Sequence, residues 1–489
     1  MTAVDKCQQP SSIFPCRTAV PVGYNVLMLL GRRQSKPPSL TDGPITSSLL
    51  RLAWPVMLAN LFQTLYNFVD RFWLARLGRI PIAALALSWP LVFLVLSLGS
   101  GITIAGTALV AQYTGARRHE EANLAAGQVI SFTGTLAVLL GAAGFFSARP
   151  ILLLMGAESS LIQAATSYLQ IIYAGIPLMF GTFVVTALLN GVGDTVTPMI
   201  LMGISVALNL VLDPFFIFGW GPFPEWGVAG AAVATVLSRG LLALLGLLWL
   251  FSGHLGLHLR PHHLRPRWGL IRKIISIGGL SSIGQTGTAL GFSIMNGALA
   301  RIGTVVLSAF GIGNAFISIV LMPAMGLGQA TATMVGQNLG AEKPERARRS
   351  VWSGMAISSA ILVSAAIAVL IFRNHLIGFF LSDPEVLAVG SEMLFLVALA
   401  FPFMGIIQVI MGTYQGSGHT LYSMFFDLFR LWALRVPLVF LLAFGFHLGA
   451  SGVWWAMFAS NSATAAVCLA FFLSGNWMQR VIRESPQLD

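Results

Sequence analysis

Apolar runs long enough to cross a membrane follow one another along almost the whole chain. Of the 489 residues, 56% are hydrophobic and only 9% are charged, whereas about 25% charged residues is ordinary for a soluble domain. The runs are apolar throughout and do not alternate with polar residues, as the strands of a membrane β-barrel do. The sequence therefore predicts an all-α polytopic membrane protein.

We predict about twelve transmembrane helices in two six-helix bundles. The predicted division is a poorly ordered tail (1–44), an N-lobe with helices 1–6 (45–252), a basic linker (253–269), a C-lobe with helices 7–12 (270–475) and a second tail (476–489). The predicted spans are 45–77, 80–111, 122–147, 160–188, 195–219, 227–252, 270–301, 305–337, 346–373, 384–413, 418–446 and 449–475.

An internal repeat with an offset of 225 residues relates the two halves. The segment ARLG at 75–78 matches ARIG at 300–303, and the same offset places Gln112 on Gln337 and Pro177 on Pro402. Near the end of the repeat the offset decreases by three residues to 222, where Gly227 matches Gly449. Because six helices return the chain to the same side, both halves run in the same direction, and two such bundles around a cavity are typical of a transporter.

The distribution of Lys and Arg along the chain indicates which side of the membrane each loop faces. Most of the 28 Lys and Arg residues lie in the tails, the linker and the short loops on the side of the termini. This favours a multi-pass protein of the cell inner (plasma) membrane with both termini in the cytoplasm. The net charge of +11 therefore does not indicate nucleic-acid binding, and the positions of the three cysteines imply no disulfide framework.

Two acids stand out because they lie inside N-lobe spans. Asp70 and Asp213 fall at a similar depth below the same face, with Tyr66 and Asn209 each one helical turn before them. An ionisable group in a span is by default a functional-site candidate. The four side chains are therefore predicted to form one polar pocket that exchanges a proton or holds Na⁺.

Structural alternatives exist for both acids. Asp213 precedes Pro214 and could end its helix, while Asp70 could form an ion pair with the neighbouring Arg71 or with Arg76. In the C-lobe, Met295 occupies the position equivalent to Asp70.

Other charged residues in the spans and the linker favour structural roles. Asp427 precedes Arg430 and Arg435 and is predicted to form an ion pair, and Glu392 is expected to be solvated. The spacing of His254, His258 and His262 resembles a metal site, but Pro261 interrupts any helix there, so solvated or topological histidines are favoured.

The energy source is not an ATPase site within the chain. The motif GxxxxGK[ST] of P-loop ATPases and the metalloprotease motif HExxH are both absent. The energy is therefore expected to come from outside the chain or from an ion gradient. No cofactor and no enzymatic activity are predicted.

Four motifs resemble the multidrug and toxic compound extrusion (MATE) family. They are WPVMLANLFQTLYNFVDRFWLARLG, VAQYTGARRHEEA with VGQNLGAEKPERA, LNGVGDTVTPM with YQGSGHTLYSM, and NLVLDPFFIFG followed by GVAGAAVATVLS. Acids in the first and fifth helices with an acid-poor C-lobe are similar to the DinF-like branch. The chain departs from the family in the ending LARLG and in a basic Arg71 beside Asp70.

This resemblance implies a V-shaped secondary active antiporter. It would export organic, often cationic or lipophilic compounds in exchange for H⁺ or Na⁺ bound in the N-lobe, and its first helix would bend near Pro55. The coupling residues that the resemblance implies are Tyr66, Asp70, Asn209, Asp213 and, more weakly, Thr235. The expected partners are small organic molecules and the lipid bilayer, with no nucleic acid, and a monomer is expected. The alternative is a lipid-linked precursor flippase of the same superfamily.

Overall fold

The structure is a computed structural model that describes residues 40–156, 158–253, 256–380 and 383–482. The predicted disorder of the first tail falls mostly outside the described residues, as does the end of the second tail. His254 also lies outside them.

Twelve long helices account for most of the described chain, and each predicted span coincides with one of them. The N-lobe helices are α1 (Ile45–Ala75), α2 (Arg79–Gly115), α3 (His119–Leu154), α4 (Ser159–Val192), α5 (Val196–Phe218) and α6 (Val228–Ser252). The C-lobe helices are α7 (Trp268–Ile302), α8 (Thr304–Gly340), α9 (Pro344–Gly378), α10 (Pro384–Ser417), α11 (Thr420–Gly445) and α12 (Gly449–Leu473). The predicted all-α membrane fold is thereby confirmed.

Helix α7 differs from the other long helices in its polarity. Of the described helices, 11 are long and apolar enough to cross a membrane on their own, and α7 is not among them. Its polar side chains face α2: Ser100 donates a 2.7 Å hydrogen bond to Oε1 of Gln285, and the hydroxyls of Ser97 and Thr286 are 2.8 Å apart. Part of the polarity of α7 is thus satisfied by the other lobe.

Helix α11 is not a regular α-helix, which the sequence did not predict. Two π-helical segments, Phe429–Arg435 and Phe440–Gly445, interrupt it. A π-helical turn holds more residues than an α-helical turn, so it takes up inserted residues without moving the helix ends. Helix α11 has 26 residues where its equivalent α5 has 23. The repeat offset nevertheless falls by three, because the connection after α11 (446–448) is shorter than the connection after α5 (219–227).

The lobes meet through equivalent helices. Helix α2 packs against α7 and α8, and α1 packs against α8. Near the side that carries the linker, Gly115 lies against the backbone of Gln337 and Gly340 lies against the backbone of Gln112, so that a Cβ atom on either glycine would overlap the facing chain. Only glycine permits this approach.

Two glutamines connect the lobes at the same level. The side-chain amide of Gln112 donates to the carbonyl oxygen of Ser417 at 3.0 Å, and that of Gln337 donates to the carbonyl oxygen of Gly191 at 2.9 Å. These carbonyls belong to the last turns of α10 and α4, where a helix leaves acceptors unpaired. The structure is therefore closed on the linker side.

Candidate coupling site in the N-lobe

The predicted site residues converge where α1, α5 and α6 pack together. Helix α5 presents Asn209 and Asp213 one turn apart, and both are fully buried. Asp70 lies near the end of α1, and its carboxyl group lies close to the side chains of Asp213, Asn209 and Thr235. The structure thus brings together two carboxyl groups, an amide and the α6 hydroxyl that sequence analysis ranked as a weaker candidate.

Tyr66 is part of this region but points to α6 rather than to a carboxyl group. Its hydroxyl lies 2.7 Å from Oγ of Ser238 and donates to the carbonyl oxygen of Thr235 at 3.4 Å. Only 1% of Tyr66 is exposed. In this structure the tyrosine therefore fixes α1 against α6 beside the acids.

Arg239 is a member of the site that sequence analysis did not assign. Its guanidinium lies over the Tyr66 ring, 4.5 Å from the centroid, and donates a 3.2 Å hydrogen bond to Oε1 of Gln63. The signal that would have found it is its position on a span, one turn after Thr235. The site therefore combines two acids with one nearby cation.

The alternative explanations for the two acids are wrong. Arg71 is exposed, and Arg76 lies over the rings of Phe72 and Trp73, at 4.6 and 5.0 Å from their centroids. Within the described residues no ion pair joins Asp70 to either arginine. Asp213 does not end a helix either, because α5 continues through Pro214 to Phe218.

Three buried oxygen atoms of the site have no hydrogen-bond donor in the described structure: Oδ1 of Asp70, Oδ1 of Asn209 and Oδ2 of Asp213. The other carboxylate oxygen of Asp213 accepts from Asn209 Nδ2 at 3.1 Å. A carboxylate only accepts hydrogen bonds, and unpaired buried acceptors are costly. A cation would complete this arrangement, as either a proton on one carboxyl group or a metal ion that prefers oxygen ligands.

Pro55 lies inside α1, about four turns before Asp70. It is buried, and the helix continues past it to Ala75. Proline removes one hydrogen bond of the helix interior, so this position allows α1 to change its curvature. That α1 bends here stays a prediction.

The remaining predicted acids are placed as structural groups. Asp427 forms an ion pair with Arg430 at 3.3 Å. Glu392 is exposed and accepts a 2.5 Å hydrogen bond from Ser451.

Among the linker histidines, His263 connects the linker to α3 through Glu120. Its hydrogen bonds do not suit a metal ligand. Nε2 of the buried His263 lies 2.8 Å from Oε1 of Glu120, and the backbone N–H of Arg260 donates to Nδ1 of His263 at 3.0 Å. Because Nδ1 accepts, Nε2 of the neutral ring carries the proton and donates to Glu120, which removes the lone pair that a metal would need. His262 is farther from Glu120, at 3.5 Å, and the backbone N–H of His258 donates to Asn123.

The comparison with known families decides the identity of this arrangement. The family model described as MatE matches residues 55–215 and again residues 281–441, which together exceed half of the chain. The chain belongs to the MatE family. The two matched segments also reproduce the internal repeat, one in each lobe.

Relatives and a solved structure resemble this MatE protein over nearly its whole length. The "Probable multidrug resistance protein YpnP" of Bacillus subtilis is 30% identical over 444 residues, which cover 89% of this chain and 97% of the relative. The "Probable multidrug resistance protein NorM" of Thermotoga maritima is 29% identical, covering 90% and 94%. The "Crystal structure of MATE in complex with MaL6" is 23% identical with a TM-score of 0.84, covering 90% of this chain and 98% of that one.

Membership in MatE confirms a multi-pass membrane transporter and not an enzyme. Multidrug transporters are among its relatives, which favours small-molecule substrates. The narrower assignment to the DinF-like branch stays a prediction.

Proposed function

We propose that this MatE protein is a secondary active multidrug efflux antiporter. It exports organic, often cationic or lipophilic compounds in exchange for H⁺ or Na⁺ bound between Asp70 and Asp213. The observation that supports this proposal is the set of buried, unpaired oxygens on Asp70, Asn209 and Asp213. With a cation bound to these oxygens the site is loaded, and without it the site is empty. The two states of the protein differ in the charge of the site and in the packing of its helices.

The helices that carry the site also touch the other lobe. Asp70 is on α1, which packs against both α5 and α8. A cation between Asp70 and Asp213 removes the repulsion between α1 and α5 and draws the two helices together. Release of the cation allows α1 to separate from α5 and to bend at Pro55, which changes its contact with α8. Antiport requires such a difference in affinity between two conformations.

The proposed orientation places the linker and both termini in the cytoplasm and the protein, as a monomer, in the inner membrane. The unpaired acids then lie toward the outer face, where the coupling ion enters. In this proposal the two lobes, joined by residues 253–269, move relative to each other during transport. The lipid-linked precursor flippase is not favoured, since the relatives reported above are named as multidrug resistance proteins.

The test uses inside-out vesicles with an acidic lumen and a panel of lipophilic cations added outside. Wild-type protein is expected to make the lumen more alkaline when a substrate is added, because substrate enters as protons leave. Asp213→Asn is expected to abolish this response. Glu392→Gln is the control, because Glu392 is an exposed carboxylate of the other lobe and its loss should leave transport unchanged.

Sodium coupling is tested in the same vesicles. Transport that appears only under a Na⁺ gradient, and is lost in Asp213→Asn, assigns the site to sodium. Substrate movement that is the same in Asp213→Asn and in wild type contradicts the proposed site. Failure of every compound under both gradients contradicts the exporter function.

A further inference from the structure

The C-lobe contains a buried arginine, Arg435, whose partners are all neutral. Its Nε donates to Oγ of Ser460 at 3.0 Å, and its Nη2 donates to Oδ1 of Asn461 at 2.9 Å. Only 2% of Arg435 is exposed. No carboxylate pairs with it among the described residues. An arginine cannot lose its charge in a protein, so this position lacks a counterion.

The neighbouring ion pair does not supply the missing charge. Asp427 pairs with Arg430, so these two side chains neutralise each other. Arg430 and Arg435 are five residues apart in the π-helical segment of α11, which is one π-helical turn. The two arginines therefore lie on the same side of α11, and the cluster keeps one uncompensated positive charge.

Further hydrogen-bond donors around this charge have no acceptor. Nδ2 of Asn461, Oγ1 of Thr464 and Nε of Arg430 are buried and unpaired. The orientation of the Asn461 amide is fixed, because a guanidinium only donates and Oδ1 must face it. Thr464 follows Asn461 by three residues and shares its face of α12. The site therefore combines a free positive charge with free donors, as an anion requires.

The internal repeat places groups of different charge at equivalent positions of the two lobes. With the offset of 222 that holds at this end of the repeat, Asn461 corresponds to Arg239. The N-lobe has its arginine on α6 and its acids on α1 and α5. The C-lobe has an arginine, Arg435, on the α11 equivalent of α5, and Met295 replaces Asp70. The N-lobe thus lacks a cation where the C-lobe lacks an anion.

We infer that the C-lobe binds a small monovalent anion between Arg435, Asn461 and Thr464. The surroundings favour an inorganic ion such as chloride over the carboxylate of a bulky organic compound, because Ser460, Asn461 and Thr464 are fully buried. The bound anion neutralises Arg435 and connects α11 to α12. This site is independent of the proposed coupling site in the N-lobe.

Thermal unfolding of the purified full chain tests the inference. Sodium chloride is compared with sodium gluconate at equal Na⁺ concentration, so that a sodium effect in the N-lobe cancels. The wild-type Tm is expected to rise with chloride concentration and to saturate, because a ligand that binds only the folded state stabilises it. An equal Tm in the two salts at every concentration contradicts the site.

A charge variant locates the effect. Asn461→Asp places a fixed carboxylate beside Arg435, so its Tm in gluconate is expected to exceed that of wild type and to be independent of chloride. Ser462→Ala is the control on the same helix, since the Ser462 hydroxyl bonds only to its own helix at Phe458, and it should keep the wild-type chloride dependence. A chloride dependence retained in Asn461→Asp overturns the assignment.

Bromide provides a direct view of the position. Crystals grown in sodium bromide are expected to show an anomalous peak beside the guanidinium of Arg435. A peak elsewhere in the protein, with none at Arg435, overturns the inference. Formate in place of chloride separates the possible sources: a Tm shift with formate but none with chloride assigns the site to carboxylates and contradicts an inorganic anion.

Discussion

Replacing Gly340 by alanine should open the closed side of the transporter. Gly340 is near the end of α8, and an added Cβ atom would lie 2.7 Å from the carbonyl carbon and 2.8 Å from the Cα of Gln112, and nearer still to the carbonyl oxygen. The obstacle is backbone inside α2, which cannot rotate away as a side chain does. The alanine variant is therefore accommodated by separation of the lobes on the linker side.

The size of the effect follows from these distances. Carbon atoms in favourable contact are about 3.5–4.0 Å apart, so α2 and α8 must move apart by about 1 Å. Overpacking of this kind costs about 1–3 kcal/mol. A difference of that size shifts a two-state equilibrium by about 5- to 150-fold. The state closed on the linker side should lose population by that factor.

Double electron–electron resonance measures the shift. Spin labels at His119 and Glu345, both exposed on the linker side, report the separation of the lobes once Cys7, Cys16 and Cys468 are replaced by serine. The distance distribution in Gly340→Ala should gain a longer component, and substrate transport should slow. Gly311→Ala on the same helix is the matched control, because a Cβ atom there meets nothing within 4 Å.

Two outcomes would refute the reasoning. If Gly340→Ala gives the wild-type distance distribution, the glycine contact does not set the lobe separation. If Gly311→Ala opens the linker side as much as Gly340→Ala, the effect comes from helix propensity and not from the crossing.

Two further predictions concern the linker and a loop. Gln128 on α3 bonds the backbone of His263, Arg265 and Arg267 at 2.7–2.8 Å, so Gln128→Ala should cost about 1–3 kcal/mol and speed tryptic cleavage of the linker, whereas Thr135→Ala on the same helix should cut at the wild-type rate. Burial lowers the pKa of His419, between α10 and α11, from its ordinary value of 6.5. The unfolded chain then binds more protons below about pH 6.5, so the free energy of unfolding should fall from pH 7 to pH 5; His419→Gln should flatten this slope in thermal unfolding, and an unchanged slope would contradict the prediction.

The fold was largely predictable because its strongest determinant is local. A run of apolar residues long enough to cross a bilayer is read directly from the sequence. Because of the internal repeat, each span of one lobe is supported by an equivalent span in the other lobe. The pairing of Asp70 with Asp213 was also predictable, since depth in the membrane is counted along the helix and both helices run in the same direction.

The parts that could not be predicted depend on rotation about helix axes and on partners in other helices. Spacing places Tyr66 on the Asp70 face of α1, but it does not reveal that Ser238 attracts the hydroxyl. Arg239 was visible in its span, but its neighbours were not. The slip of three in the repeat indicates a net loss of residues in the C-lobe, and it does not reveal the two π-helical segments of α11, the first of which carries Arg435.

The polar face of α7 has a consequence for how the protein is made. A helix whose hydroxyls and amide need α2 for their hydrogen bonds gains little from entering lipid before α2 is present. The first six helices emerge from the ribosome earlier and offer that surface when α7 arrives. We therefore expect the N-lobe to act as a template for membrane insertion of the C-lobe, and a C-lobe synthesised alone to insert poorly at its first helix.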